Sequence, residues 1–250
     1  MQYRQGDGHI AVLNDKSGGF AGRRLPGDNR ETVLVIIKFT LRGNLRFLSH
    51  AETVKVFQRA CARSDIKVQY SQGFNPRPKL SLPLPRSVGI EVDEDVLCMW
   101  VPAAELPTLK ARLSNQLPDG FELLSVNSAE AKTSFQPKLA TYVLVLREQG
   151  GVLQKKGEQY INEKLKTRIK SLLASESLNL QRQIDEKGNI RSVDVRPFLK
   201  SIDFDGTDIT VECNISQAGS IRVDEILRLL ELDVEHLAVP IRRTRVEWKN

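Results

Sequence analysis

The stretch VLVIIKFTLRGNLRFLSHAETVKVFQRACARS, residues 33–64, predicts how the fold begins. Hydrophobic side chains occupy both sides of an extended chain at the start of residues 33–41, which is the pattern of a buried β-strand. Gly43 then predicts a turn. Ser49 and Glu52 fit a capping box, in which two side chains satisfy free backbone N–H groups at a helix start. We therefore expect a strand, a turn and a helix that runs to the end of the stretch.

The same kinds of pattern continue along the chain. In the first half they predict further strands at residues 67–70, 91–101 and 121–126 and a helix at residues 107–117. The resulting order, β-α-β-β-α-β, is that of a ferredoxin-like unit. The second half repeats this order with one extra strand pair, and its predicted elements lie at residues 139–147, 158–174, 178–184, 190–196, 201–204, 209–215, 223–230 and 239–248.

The predicted fold class is therefore α+β, with two tandem ferredoxin-like (βαββαβ) units that have antiparallel sheets. Residues 1–30 are expected to form a flexible N-terminal arm, because they are rich in glycine and too poor in hydrophobic residues to set a period. The first unit is expected at residues 31–128 and the second at residues 138–250. Residues 127–137, rich in small and polar side chains, are the expected linker.

Composition indicates an ordinary globular protein with a moderate positive charge. The 250 residues carry a formal net charge of +6, and 40% of them are hydrophobic. This charge favours an acidic partner. The three cysteines, Cys61, Cys98 and Cys213, lie far apart in sequence, which is typical of reduced thiols in a cytoplasmic protein. No apolar run approaches the roughly 18 residues that cross a bilayer, so no membrane association is expected.

A proline-rich basic segment, YSQGFNPRPKLSLPLPR at residues 70–86, carries the strongest functional signal. Its four prolines fix φ and remove backbone donors, so we expect an exposed, semi-rigid ribbon. Gly73 is expected to adopt a positive φ where the chain reverses. The aromatic, amide and cationic groups suit a nucleic-acid strand. Together with a predicted basic helix face, the candidate RNA-binding residues are Arg46, Lys55, Arg59, Arg63, Tyr70, Gln72, Gly73, Phe74, Asn75, Arg77, Lys79 and Arg86.

His50 is the candidate catalytic residue. It occupies the first helical position after Ser49, where the positive end of the helix dipole favours a neutral imidazole that accepts a proton. The alternative is a histidine that only packs at the start of the helix. Asp93, Glu94 and Asp95 are interpreted as a solvated turn before a strand rather than a magnesium site, and we expect no metal and no cofactor.

Three arginines in the last predicted strand cannot all face one ligand. Side chains alternate between the two faces of a strand, so Arg243 and Arg245 are expected on one face and Arg242 on the other.

Three motifs resemble the N-terminal portion of the radical-SAM-linked protein family, a domain of unknown function. They are LRFLSH at residues 45–50, YSQGFNPRPKLS at residues 70–81 and PRSVG at residues 85–89, and the resemblance covers about residues 33–216. It implies association with radical SAM proteins of the cobalamin-binding type, to which such domains are fused or beside which they are encoded. The chain lacks three closely spaced cysteines for an iron–sulfur cluster, so that chemistry is expected in another polypeptide.

Three function classes follow from these residues. The first is a non-catalytic RNA-binding or adaptor module that acts with a radical SAM partner in the modification or processing of tRNA or ribosomal RNA. The second is a metal-independent RNA endonuclease that uses His50 as its base. The third is a protein-interaction module that docks through the proline-rich segment. We expect the first, with RNA and a radical SAM protein as partners, no specificity for DNA and a cytoplasmic location.

Overall fold

A computed structural model describes residues 31–130, 133, 135–147, 154–183 and 188–249 of the chain. The predicted N-terminal arm lies outside the described residues. The helices are α1 (His50–Arg63), α2 (Leu106–Ser114), α3 (Gln154–Ala174) and α4 (Val223–Leu230). The strands are β1 (Thr32–Leu41), β2 (Leu80–Ser81), β3 (Glu91–Pro102), β4 (Phe121–Ala129), β5 (Gln136–Val145), β6 (Asn179–Gln183), β7 (Ile190–Asp194), β8 (Leu199–Phe204), β9 (Asp208–Asn214) and β10 (Arg242–Lys249).

The fold is a mixed α+β arrangement around one large sheet. Its strand order is β4-β1-β3-β10-β5-β9-β8, and β2 pairs in addition with β3. Neighbouring strands are antiparallel except β3 and β10, which are parallel and pair only at Glu91–Arg242 and Val92–Arg243. This pairing corrects the expectation of two antiparallel sheets, because a single sheet with one parallel step runs through both halves of the chain.

Each half of the chain supplies one continuous part of this sheet. The first half contributes the order β4-β1-β3-β2, and the second contributes β10-β5-β9-β8. Strands β6 and β7 pair only with each other and are inserted between α3 and β8. The linker is shorter than expected from the sequence, because β4 extends to Ala129 and β5 begins at Gln136.

Two hydrophobic cores lie on the helix-bearing side of the sheet. In the first half, alternate residues of β1 pack against α1 and α2, and the rings of Phe39, Phe57 and Phe121 contact one another. In the second half, α3 and α4 pack on β5, β8 and β9 through residues such as Leu165 and Ile226. Both cores form because alternate strand residues point to one side of the sheet, where the hydrophobic faces of the helices cover them.

The proline-rich segment corrects a second expectation. Residues 67–70 are not a strand: Gln69 donates one backbone hydrogen bond to Trp100, and Tyr70 forms an isolated bridge with Pro78. The strand is instead β2, within the predicted ribbon. Its two residues lie between prolines and keep their backbone N–H groups, so they can pair with β3 where a proline could not.

The second part of the ribbon, residues 79–86, is a structural element that we call the strap. One edge of β3 pairs with β2 at Cys98–Met99 and with β10 at Glu91–Val92, so the sheet divides there into a fork. The strap lies in this fork. Leu82 is buried in the core of the first half, and Leu84 packs against Ala140 and Ile215 of the second half. The strap therefore contacts both halves of the protein.

Candidate functional site

Gln69 and the first part of the ribbon together form a closed hairpin, residues 69–79, which projects from the end of the strap. The backbone N–H of Lys79 donates to the carbonyl of Gln69 at 2.7 Å, and that of Ser71 donates to Arg77 at 2.8 Å. Gly73 at the tip has a φ of 135°, which confirms the predicted positive φ. These hydrogen bonds close the base of the hairpin, and Pro76 and Pro78 restrict its backbone further.

The hairpin displays hydrophobic and cationic groups to solvent. The Phe74 side chain is fully exposed, and about half of Tyr70 is exposed. Gln72, Asn75, Arg77 and Lys79 are also exposed. No acidic residue occurs between Asp65 and Glu91, so the charged side chains of this segment are all positive. Burying an exposed phenyl ring is favourable, which makes the hairpin a candidate binding element.

The other predicted RNA-binding residues divide into exposed and structural ones. Lys55 and Arg59 are exposed on α1. Arg63 is bound to the chain after α2, since its guanidinium donates to the Gln116 carbonyl at 2.6 Å and to the Gln116 side chain at 3.2 Å. Arg46 donates to the Gly43 carbonyl. All three members of the predicted basic row on α1 are therefore exposed, and the Arg63 guanidinium is in addition hydrogen-bonded to Gln116.

Arg86 is not part of this surface, which corrects its sequence-based placement. The residue is buried, and its guanidinium donates to the carbonyls of Arg46, Leu48, Ser87 and Ile90 at 2.7–3.2 Å. Burial lowers the pKa of Arg86 to about 10, with a smaller contribution from nearby Arg243. A planar guanidinium can satisfy several carbonyls at once, so Arg86 joins the end of the strap to the start of α1.

His50 begins α1, as predicted, directly after a complete capping box. Ser49 Oγ accepts a hydrogen bond from the Glu52 N–H, and a Glu52 carboxylate oxygen accepts from the Ser49 N–H at 2.8 Å. The imidazole is partly buried. Its pKa is lowered, first by burial, with Asp95 opposing the shift and the cations of Arg86 and Arg243 adding to it. Burial and the two nearby cations therefore favour the neutral form of the imidazole.

A buried ion pair joins the two halves beside His50. Arg243 of β10 is fully buried, and its Nη2 lies 2.7 Å from a carboxylate oxygen of Asp95 in β3. The second Asp95 oxygen accepts from the Val96 N–H, and Arg243 Nη1 donates to the Pro85 carbonyl of the strap. Arg243 Nε is buried without a partner among the described residues. Burial raises the pKa of Asp95, although Arg243 opposes the shift.

This ion pair corrects two interpretations of the sequence. The acidic cluster at residues 93–95 is not simply a solvated turn, because Asp95 points into the interior. Arg243 and Arg245 do not share an environment: a β-bulge separates them, and Arg245 is exposed. One sequence signal pointed to this ion pair: β3 and β10 each carry a charged residue at a position that faces the interior.

Metal-ligating side chains, apolar helices and thiols can each be located in the described part of the chain. Among these residues, no three histidine, cysteine or acidic side chains come together as potential metal ligands. No described helix has the length and apolar composition needed to cross a bilayer. Cys61 and Cys213 are buried free thiols, and burial raises the pKa of Cys213 to about 12. The candidate site comprises the exposed hairpin and a histidine next to a buried ion pair.

Comparison with known proteins defines the class of this chain. The pattern of a family of uncharacterized proteins conserved in bacteria, DUF2344, matches residues 35–228, a range that includes the hairpin, the strap and His50. The chain belongs to this family. No curated protein matches it. Among solved structures, a chain in the crystal structure of a Cbf5-Nop10-Gar1 complex is similar with a TM-score of 0.40 and 12% identity, over 90% of this chain and 60% of that chain.

Proposed function

We propose that this protein is an RNA-binding accessory module that presents RNA, of the tRNA or ribosomal class, to a radical SAM partner. The exposed hairpin at residues 69–79 is the observation that carries the RNA part of the proposal. The resemblance of its motif to the radical-SAM-linked family supports a radical SAM protein as the partner. We also propose that each half of the chain is a ferredoxin-like unit, since both halves show the same strand order around their first strand.

The hairpin suits single-stranded RNA for physical reasons. Phe74 and Tyr70 offer aromatic faces to unstacked bases, and each base stacked on an aromatic ring contributes about 1–3 kcal/mol. Arg77 and Lys79 add positive charge for the phosphates, and no carboxylate of the segment opposes it. Because the backbone is already held by its own hydrogen bonds, little conformational entropy is lost on binding.

A binding assay with three variants tests the RNA part of the proposal. RNA crosslinked to the protein in cells is sequenced first, and a fragment of it is then titrated by fluorescence anisotropy at several salt concentrations. Phe74→Ala is expected to weaken binding by about 5- to 150-fold. Arg77→Ala should lower the slope of log K against log salt by about one, whereas Lys170→Ala, an exposed cation on α3, should change neither quantity. Affinity that does not depend on Phe74 contradicts the proposal.

A second candidate function is metal-independent cleavage of RNA with His50 as the general base. The lowered pKa of His50 favours it, because a neutral imidazole can accept the proton of a ribose 2′-hydroxyl. His50→Gln separates the two candidates. An accessory module keeps its RNA affinity and shows no cleavage before or after the substitution, whereas an endonuclease loses cleavage of the crosslinked RNA. Binding of a purified radical SAM protein through the hairpin, without any RNA, would instead favour a protein-interaction module.

A further inference from the structure

A second exposed aromatic group lies at the opposite end of the strap from the hairpin. We call it the Phe47 patch, formed by Arg46, Phe47 and Val88. Phe47 and Val88 are 55% and 57% exposed, which is unusual for two neighbouring hydrophobic side chains. The backbone N–H of Gly89 donates to the Arg46 carbonyl at 2.8 Å, so the two segments of the patch are directly linked.

Hydrogen bonds from the buried Arg86 hold the backbone of the patch. Phe47 ends a 3-10 turn over Gly43–Phe47, and the buried Arg86 guanidinium donates to the carbonyls on either side of Phe47, those of Arg46 and Leu48, each at 2.7 Å. The Arg46 guanidinium lies over the Phe47 ring, 4.2 Å from its centroid. One face of the ring is therefore covered by a cation, and about half of the residue's surface is still accessible to a ligand.

The position of the patch relates it to the hairpin. The strap joins the two and has seven residue steps, which extend over at most about 25 Å. Helix α1 begins three residues after Phe47, is 14 residues long, about 21 Å, and shares the core of the first half with Leu82 of the strap. Its exposed side carries Lys55 and Arg59, and its single acidic residue, Glu52, is engaged in the capping box. Lys55 and Arg59 are thus exposed cations on the helix that follows Phe47.

We propose that the Phe47 patch is a second contact for the same single-stranded RNA, with one base stacked on the open face of Phe47 and with Lys55 and Arg59 facing the intervening phosphates. This inference rests on the proposed function and extends it to a binding path along α1. The charge favours RNA over a hydrophobic protein segment. Lys55 and Arg59 can pair with phosphates, whereas an apolar partner would bury these cations without opposite charges.

A length series of oligouridines tests the path. For the wild-type protein we expect affinity to rise in a step once an oligonucleotide is long enough to reach both aromatic groups. In Phe47→Ala and Phe47→Leu the step should disappear, with a loss of about 5- to 150-fold for long oligonucleotides and no change for short ones. Val234→Ala, which shortens a similarly exposed side chain in the second half, is the matched control. Circular dichroism and thermal melting confirm that each variant is folded.

The outcomes separate this inference from the proposed function. If Phe74→Ala weakens binding and both Phe47 variants behave as wild type at every length, the second contact is wrong and the proposed function stands. If the wild-type protein binds no oligonucleotide of any length and no crosslinked RNA, both fail. A step that is lost equally in Val234→Ala also overturns the inference, because the effect is then not local to the Phe47 patch.

Discussion

Replacing Arg243 by methionine should destabilise the protein strongly, because it removes one member of a buried ion pair. The side chains of Arg243 and Asp95 are 1% and 5% exposed and 2.7 Å apart. Methionine fills much of the same volume, but it leaves the buried Asp95 carboxylate with the Val96 N–H as its remaining hydrogen-bond donor among the described residues. It also removes the donor to the Pro85 carbonyl, so the strap loses its bond to β10.

The expected loss is about 3–5 kcal/mol, the cost of leaving one charge of a buried pair uncompensated. For a chain of this size, each kcal/mol lowers the melting temperature by about 2–4 °C, so we expect a decrease of roughly 6–20 °C. Arg245→Met is the matched control. Arg245 is two residues away and mostly exposed, and its ion pair with Glu247 should be worth about 0–1 kcal/mol.

The dependence on pH provides a second measurement of the same pair. Burial raises the pKa of Asp95 in the folded protein, so its contribution to stability is present at low pH and is lost as pH rises through the folded pKa. Arg243 opposes this shift, and its removal should raise the pKa of Asp95 further. The stability difference between wild type and Arg243→Met should therefore be smallest in acid, where Asp95 is protonated, and should grow toward neutral pH.

Urea unfolding of wild type, Arg243→Met, Asp95→Asn and the double variant, from pH 4 to pH 7, measures these differences. The double variant should lose much less than the sum of the two single losses, because neither charge is then left alone. Equal effects of Arg243→Met and Arg245→Met, or additive losses in the double variant, would refute the reasoning.

Three further predictions concern His50, the strap and the hairpin. The pKa of His50, followed by NMR, should lie below 6.5. The neutral imidazole then stabilises the folded protein above pH 6.5, and this stabilisation is lost as the pH falls through the pKa of the folded state. His50→Gln should remove this pH dependence. Leu84→Ala should cost about 2–5 kcal/mol in urea unfolding, since it empties the contact between the halves, whereas Leu124→Ala on the edge strand should cost much less. Gly73→Val should weaken RNA binding and lower the melting temperature by only a few degrees, because its φ of 135° is strained but nothing lies within 4 Å of an added Cβ. Gly120→Val should destabilise more, because the added Cβ would lie 2.7 Å from the Arg42 carbonyl oxygen; similar melting temperatures for these two variants would contradict this account.

Much of the local structure can be predicted from the sequence. The strand from Thr32, the capping box at Ser49 and the positive φ of Gly73 all depend on residues within a few positions of one another. The helices α1, α2, α3 and α4 all form where their period predicts, with ends that differ by a few residues. The short strand at residues 67–70 is the main local error, because the choice between it and β2 depends on which segment reaches the edge of β3.

The candidate site could be predicted only in part. The exposed residues of the hairpin were identifiable, because prolines and a carboxylate-free basic segment are local features. Phe47 was overlooked, since a phenylalanine next to a predicted helix is usually a core residue. Its exposure depends on how Arg86 joins the strap to the turn before α1, a contact across 38–40 positions of sequence.

The sequence alone determined the α+β class, the order of most elements and the glycine reversal in the proline-rich segment, because periodicity, capping and turn chemistry act over short distances along the chain. Only the tertiary structure decided that both halves share one sheet, that the strap fills the fork in it, and that Arg86, Asp95 and Arg243 are interior groups. Asp95 and Arg243 are 148 positions apart. The burial of a charge depends on which distant group is brought to meet it, and a pattern of neighbouring residues does not contain that information.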